Sequence, residues 1–442
     1  MRKLFFLMAL AMLSSVVKAQ LQIEPPPQIQ PPKEEFKKNL RLSGGEFLAY
    51  PIPRQRKQTP APEGKRLFYV SHYGHFGSHH HEEEMDYDYA LNCLTEADDQ
   101  GMLTTLGKDV LDRIRRMKAE AYLRWGELTE VGLSQQRVII SRMFERFRPV
   151  FGDGAHIEAH STIDGQTVLA MGVALQQLLL LNQKLDIHQD ASLHEMYYMS
   201  QQDSGLQAER LSAQKRQAFD AFCKKRRRWQ RMVGALFNDK DYLEQRVDGE
   251  KLNRHLFRLA SNLQSSELRK EMTFYDLYTD NEIYENWQKE NVLQYLTNGF
   301  SQYDGGDQPY SQRNLLRRII QQTDSCIKMS HPGSTLRFGH EMVIMPLVCL
   351  LGLDGYDQQV GDLDQLEKRG WVDYRVLPMG ANIQFAFYRK NASDKDVLFK
   401  ILLNENEATL PLNTDIAPYY HWDDFRDYYL QRINAYDENL AE

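Results

Sequence analysis

The residue pattern predicts an α/β protein, with a mainly parallel central sheet and an α-helical segment inserted between its parts. Three observations predict it. An apolar strand over 66–70 (RLFYV) runs into a glycine-containing loop, 71–81, as strands of α/β sheets do at their carboxyl ends. Residues 166–325 are almost wholly helical in pattern, rich in Leu, Gln, Glu and Lys, with few turn signals before Asn298-Gly299. Two β-rich runs, 383–388 and 397–403, are joined by the polar segment 390–395, which reads as a hairpin.

At the amino terminus, Arg2 and Lys3 precede an apolar run over 4–17, and Val17-Lys18-Ala19 offers small residues for cleavage. This is the form of a secretory signal peptide over 1–19, cut near Ala19-Gln20, and the expected location is secreted or periplasmic. The run is too short for a membrane span, and no other stretch reaches the ~20 apolar residues that a spanning helix needs. Residues 20–62 form a proline-rich arm (Pro25 to Pro27, Pro31 and Pro32) that is expected to run extended, since proline cannot pair into a sheet. The net charge is −7. Without Arg2, Lys3 and Lys18 it is about −10, which excludes general nucleic-acid binding. An apolar fraction of 42% is enough for a packed core. In an oxidising compartment Cys93, Cys223, Cys326 and Cys349 have up to two disulfides open to them, and the pairing is not legible. Cys349 lies in an apolar run and reads as a buried thiol.

Further along, 103–126 is helical in pattern. A turn near Gly132 leads to a second helix, 134–147, with Val138, Ile139, Met143 and Phe144 on one side. Residues 157–162 are a strand, and a helix follows Gly339, with Pro346 marking a kink or a tight packing point. The expected domains are an α/β core from 63–165 and 326–442, and a helical cap, 166–325, over the carboxyl ends of the strands.

Several motifs then agree in order and spacing. Gly126-Glu127-Leu128-Thr129-Glu130-Val131-Gly132 has the form G-x-L-T-x-x-G, followed by Arg142-Met143-Phe144-Glu145-Arg146-Phe147. Leu336-Arg337-Phe338-Gly339-His340-Glu341 places an acid after a histidine, and Asn382-Ile383-Gln384 opens the late strands. In these motifs the chain resembles branch 2 of the histidine phosphatase superfamily, and within it the multiple inositol-polyphosphate phosphatases and phytases. The resemblance implies a phosphoglycerate-mutase-like core, no cofactor, and phosphate monoester substrates, inositol phosphates among them. It also implies a phosphohistidine intermediate. The histidine of R-H-G-x-R attacks phosphorus, arginines hold the phosphoryl oxygens, and a second histidine with its neighbouring acid serves the leaving group.

Measured against that pattern, this chain departs where the chemistry lies. R-H-G-x-R reads His75-Phe76-Gly77-Ser78-His79, so Phe76 stands in the nucleophile's place and both arginines have become histidine. A third arginine, before Ser161-Thr162, reads His160, and a further one reads Gln166. His340 and Glu341 keep the expected form, and Glu341 is the acid–base group that remains. Three readings follow. In the first, the chain is a catalytically impaired, phosphatase-like pseudoenzyme that still binds a phosphorylated small molecule. In the second, His75, His79, His160 and His340 with Glu341 form a zinc or other transition-metal site, for a metal-dependent hydrolase or a binding protein. In the third, residual acid phosphatase activity uses His75 or His72, with an acidic optimum because charged histidines would hold the anion. His79-His80-His81 before Glu82-Glu83-Glu84 reads as a solvated polar loop, with a surface metal cluster as the alternative, and Lys224 to Arg228 as a solvated helix face, with steering of a polyanion to the pocket as the alternative.

Overall fold

In the computed structural model, which describes residues 30–54, 57–200 and 203–441, the chain begins with helix α1 (Pro32–Lys38), strand β1 (Arg66–His75), and helices α2 (Met85–Asp99), α3 (Thr105–Ala121) and α4 (Glu130–Arg146). Strand β2 (His156–Ser161), helix α5 (Gly165–Leu181) and strand β3 (Asp186–Asp190) come next. Helices α6 (Gly249–Asn262), α7 (Asp280–Asn298) and α8 (Arg313–Ile327) lead to strand β4 (Gly333–Gly339) and helix α9 (Glu341–Leu351). Strands β5 (Asn382–Arg389), β6 (Leu398–Leu403), β7 (Asn406–Ala408) and β8 (Tyr420–His421), then helix α10 (Trp422–Ala441), complete the chain.

One sheet runs in the order β3-β2-β4-β1-β5-β6-β7, with β8 paired to β6. Its core, β3, β2, β4 and β1, is parallel, and β5 onward is antiparallel. Alternation of side chains along β1 decides the layers. Tyr69 and Tyr73 join a hydrophobic cluster with residues of α8, α9 and α10 on one face. Val70, with Leu336 and Phe338 of β4, joins a second cluster with α4 and α5 on the other. Both faces of the parallel strands are thus covered, as such strands require. A third cluster joins α2, α3, α6 and α7 into a helical layer.

The hairpin of β5 and β6 forms where the sequence predicts it. Pro346 lies buried inside α9. Cys349 is fully buried, and all four cysteines are free thiols. Among the described residues no helix is long and apolar enough to cross a membrane.

Several expectations change. Strand β1 continues five residues past Val70, so His72 and His75 are strand residues. Residues 166–190, expected in the cap, belong to the core, because α5 packs on the sheet and β3 forms its edge. Their helical pattern hid a short, exposed edge strand. Conversely α2 and α3, expected in the core, share their apolar contacts with α6. The proline arm is also folded from Gln30 onward. Proline suits the first turn of a helix, whose N–H groups have no partner within it, and Pro32 starts α1. Phe36 then packs against Trp287 at a ring-centroid distance of 5.1 Å. The predicted signal segment, 1–19, lies outside the described residues.

Candidate functional site

Strands β1 and β4 are parallel neighbours that end side by side, His75 opposite Gly339. Their carboxyl ends open a crevice between the loop after β1 and the start of α9, the usual ligand position of such sheets. The G-x-L-T-x-x-G segment holds that loop. Thr129 N–H donates to Ser78 O (3.0 Å) and His80 N–H to Glu127 O (3.0 Å). Gln136 Nε2 donates to the carbonyls of both His75 and Phe76 (2.9 Å each). A Cβ on Gly132 would lie 2.1 Å from Ser78 O, so only glycine lets the loop rest on the start of α4. Gly77 turns the chain at φ +113°, a conformation open to glycine.

The loop delivers Phe76 fully buried, in the cluster with Leu128, Ile140, Met143 and Phe338. Three imidazoles surround its ring, with centroids 4.4 Å (His75), 4.8 Å (His79) and 5.5 Å (His340) away. His75 is 2% exposed. Its Nδ1 accepts the Gly380 N–H (3.2 Å), which assigns the ring proton to Nε2. That Nε2 lies 3.3 Å from Glu341 Oε2, without the angle of a full hydrogen bond. Burial pushes the Glu341 carboxyl up, but His75 and then His340 and His79 outweigh it and hold the group well below the carboxylate range. Its position in the first turn of α9 favours the anion as well. His340 caps the same helix and places Nε2 2.9 Å from Asp164 Oδ2. His79 Nδ1 meets the Gly77 carbonyl at 2.9 Å.

His75, Phe76, His79, His340 and Glu341 therefore meet in one place, and His160 stands apart. Strand pairing puts His160 beside Arg337 and Arg337 beside Tyr73, so His160 is about 12 Å from His75 at the backbone. Its Nδ1 lies 3.9 Å from Glu195 Oε2 instead. The expected four-histidine metal set does not close on one point. Strand geometry carries one member away, and the ring nitrogens described above already face protein groups.

His72 lies on the opposite face of β1 from His75, against Phe338 at 5.7 Å. Neither of its nitrogens has a hydrogen-bond partner among the described residues. Burial, then Arg337, pushes its imidazole down to about 3. The unfolded chain binds this proton below pH ~6.5 and the folded chain does not, so stability is full above that pH and falls as acid approaches 3. His72→Leu should therefore gain on the wild type by about 1.4 kcal/mol per pH unit below 6.5, or about 3 kcal/mol at pH 4.5. Urea unfolding of both proteins at pH 7.5 and 4.5 measures this, and a difference independent of pH would refute it.

One surface reading also changes, while the basic run is exposed apart from Arg226. His79, His80 and His81 are buried rather than solvated, and burial pushes all three below the ordinary imidazole value. His81 packs on Phe47 and Tyr87 at centroid distances of 5.1 and 5.2 Å. Glu82, Glu83 and Glu84 are exposed. The basic run is tied to carboxylates: Lys225 and Arg226 reach Asp364 (2.7 Å each), Arg227 reaches Glu250 (3.0 Å) and Arg228 reaches Glu285 (3.1 Å).

The sequence reading missed Glu46 of the arm, Arg210 and Arg258 at the crevice, and named Glu82 only as part of a polar loop. No local pattern marks them, because each arrives from a different element. Burial raises Glu46 to about 7, against Arg258 and with Glu341, Glu290 and Asp373 adding to the rise. Burial likewise raises Asp373 to about 7. The stability these groups contribute is full below about pH 4, is lost as pH rises from there to about 7, and does not change further above it. Arg258 lies 3.6 Å from Glu46, 3.9 Å from Asp86 and 4.0 Å from Glu290, so its charge is shared among carboxylates. Arg210 is depressed by burial while Glu341 and Glu46 support its charge. The crevice is acidic and imidazole-lined rather than arginine-lined.

Comparison with known proteins gives this geometry a family. The family model described as histidine phosphatase superfamily (branch 2) matches residues 178–404. Multiple inositol polyphosphate phosphatase 1 of Dictyostelium discoideum is 32% identical over 112 residues, which is 24% of this chain and 17% of that protein's length. Among solved structures, the multiple inositol polyphosphate phosphatase of Bifidobacterium longum, in complex with inositol hexasulfate, superposes with a TM-score of 0.74 at 15% identity. That match covers 87% of this chain and 96% of the other. The phytase from D. castellii superposes with a TM-score of 0.64 at 13% identity, over 94% and 89% of the two chains. At such identities these structures speak for the fold, and the family match spans half the sequence. The chain belongs to branch 2 of the histidine phosphatase superfamily.

Proposed function

We propose that this chain is an exported member of its family that has lost phosphohistidine turnover and binds a phosphorylated small molecule of the inositol phosphate class. The observation that carries the reading is Phe76, which is fully buried at the position where the resemblance puts the attacking imidazole. A phenyl ring has no lone pair to offer phosphorus. His75 does not replace it, since its Nδ1 lone pair is taken by Gly380 N–H and its Nε2 is turned to Glu341. His72 lies across the sheet, and its imidazole is pushed down to about 3. The acidic optimum expected from charged histidines loses its basis, because His79 and His160 are pushed down by burial too. Arg210 and Arg258, supplied from outside the sheet, are the cations this crevice offers an anion. The ligand class comes from the family and from the inositol hexasulfate held by the Bifidobacterium longum protein. Export rests on the leader pattern of residues 1–19.

The test is phosphate release from inositol hexakisphosphate and from a chromogenic phosphomonoester across pH 3–8, with calorimetric binding of the first compound in parallel. Heat of binding without release above the buffer blank is expected. Release at any pH in that range, abolished by His75→Ala, overturns the reading in favour of a substitute nucleophile.

A further inference from the structure

We propose that the crevice at the ends of β1 and β4 binds a divalent first-row cation of the zinc kind, with Glu82, His340 and Glu341 as its ligands. The inference goes beyond the reading above and stands whether or not phosphate turnover is lost. One donor atom from each of the three residues lies within 4.8 Å of the other two. Zinc bonds to imidazole nitrogen and carboxylate oxygen are roughly 2.0–2.2 Å long, so tetrahedral ligand atoms stand about 3.5 Å apart. The donors close by at most about 1.3 Å to reach that spacing, and Glu82 sits on an exposed loop segment able to supply the movement. Three protein ligands leave the fourth position to water or to an anion.

The hydrogen bonds around the site are those that metal ligation asks for. A metal-bound imidazole donates its other N–H to a carboxylate, which fixes the tautomer and turns the free lone pair to the ion. His340 does this: Nε2 faces Asp164 Oδ2 at 2.9 Å, and Nδ1 keeps its lone pair. A ligating carboxylate is in turn steadied by a second donor. Glu341 has His75 for this. That side chain is 2% exposed and its Nε2, which has no hydrogen-bond partner among the described residues, aims at Glu341 Oε2 from 3.3 Å. With its proton on Nε2, His75 is a positioning residue and not a ligand.

Charge points the same way. Glu46 and Glu82 are each pushed up by burial and by the neighbouring Glu341 charge, and Arg258 is shared with Asp86 and Glu290. A dication relieves that repulsion, and the arginines that would have opposed it are absent from positions 75 and 79. It also adds a positive centre for a phosphorylated ligand beside Arg210 and Arg258. Imidazole with carboxylate suits zinc and its neighbours better than magnesium or calcium.

A second group, His156, Asp186 and His188 on the paired strands β2 and β3, lies on the surface and competes for the same ion. The test therefore uses full-length chain without a histidine tag, carrying His188→Ala, stripped with chelator and titrated with zinc chloride by calorimetry. One site should remain. Adding Glu82→Gln or His340→Ala should weaken it at least about tenfold, since even outer-shell changes cost 10–100-fold. Glu82 is exposed, so its variant does not threaten folding. Asp164→Asn provides an independent check, because Asp164 makes no capping bond to α5 and reaches the site through His340. It should weaken binding about 10–100-fold. No zinc bound by the His188→Ala protein overturns the proposal, as does affinity unchanged by all three further substitutions.

Discussion

Restoring the nucleophile alone is expected to leave phosphate release at the buffer blank: the Phe76→His variant should be as silent as the wild type. The new imidazole would sit among His75, His79 and His340 at the distances the phenyl ring now keeps. Position is therefore not what is lacking. By the resemblance, three arginines hold the phosphoryl oxygens, and here those places are His75, His79 and His160. Charge-assisted hydrogen bonds contribute roughly 1.5–3 kcal/mol each, so losing three removes about 5–9 kcal/mol if they add. That is roughly four to six powers of ten in rate. Histidine does not make up the difference, because burial pushes His79 and His160 below their ordinary value. Glu341 and Glu82 add negative charge where an anion would form. Phosphoenzyme labelling and steady-state assays at pH 5 and 7 measure the outcome. Turnover by Phe76→His would show that the pocket holds a transition state without the three motif arginines.

Glu405→Ala should lower the unfolding free energy by about 3 kcal/mol, the low end of the usual cost of breaking a buried ion pair. Glu405 is fully buried, and Arg142 Nε reaches its two oxygens at 3.0 and 2.7 Å. Arg146 follows at 3.6 Å. Removing the carboxylate leaves two cations without their shared anion, and their partial exposure (30% and 16% of the side chains) keeps the cost at the low end. The site is structural. Asn404 and Glu405, both at positive φ, form the two-residue turn between β6 and β7, and the ion pair ties that turn to α4. Denaturant midpoints measure the loss. Arg142→Met in the Glu405→Ala background should cost less than it does alone, the mark of a shared interaction. A loss under about 1 kcal/mol would mean that the turn holds without its clamp.

That clamp explains part of the sequence signal. The run from Arg142 to Phe147 resembles a family motif, and its arginines serve the scaffold: they bind a turn more than 250 residues away and hold the helix on which the site loop rests. Scaffold motifs are legible in one dimension because packing needs the same few residues at fixed spacing, as Gly132 shows under Ser78. The strand at 66–70 and the hairpin of β5 and β6 were legible for the same reason, through side-chain period. Strand β3 was not, since an exposed edge strand of five residues carries no apolar alternation.

The sequence by itself determined the family pattern, the α/β order of elements, and the substitution of Phe76, His75, His79 and His160 in the phosphate motifs. These are identities at positions, and identity survives without coordinates. Only the tertiary structure decided that His160 leaves the group, that His79 to His81 are buried, and that Glu46, Glu82, Arg210 and Arg258 enter. The physical reason is that charge and proton position depend on what lies within a few ångströms, and here those neighbours come from the arm, the loop after β1, the helical layer and the start of α9.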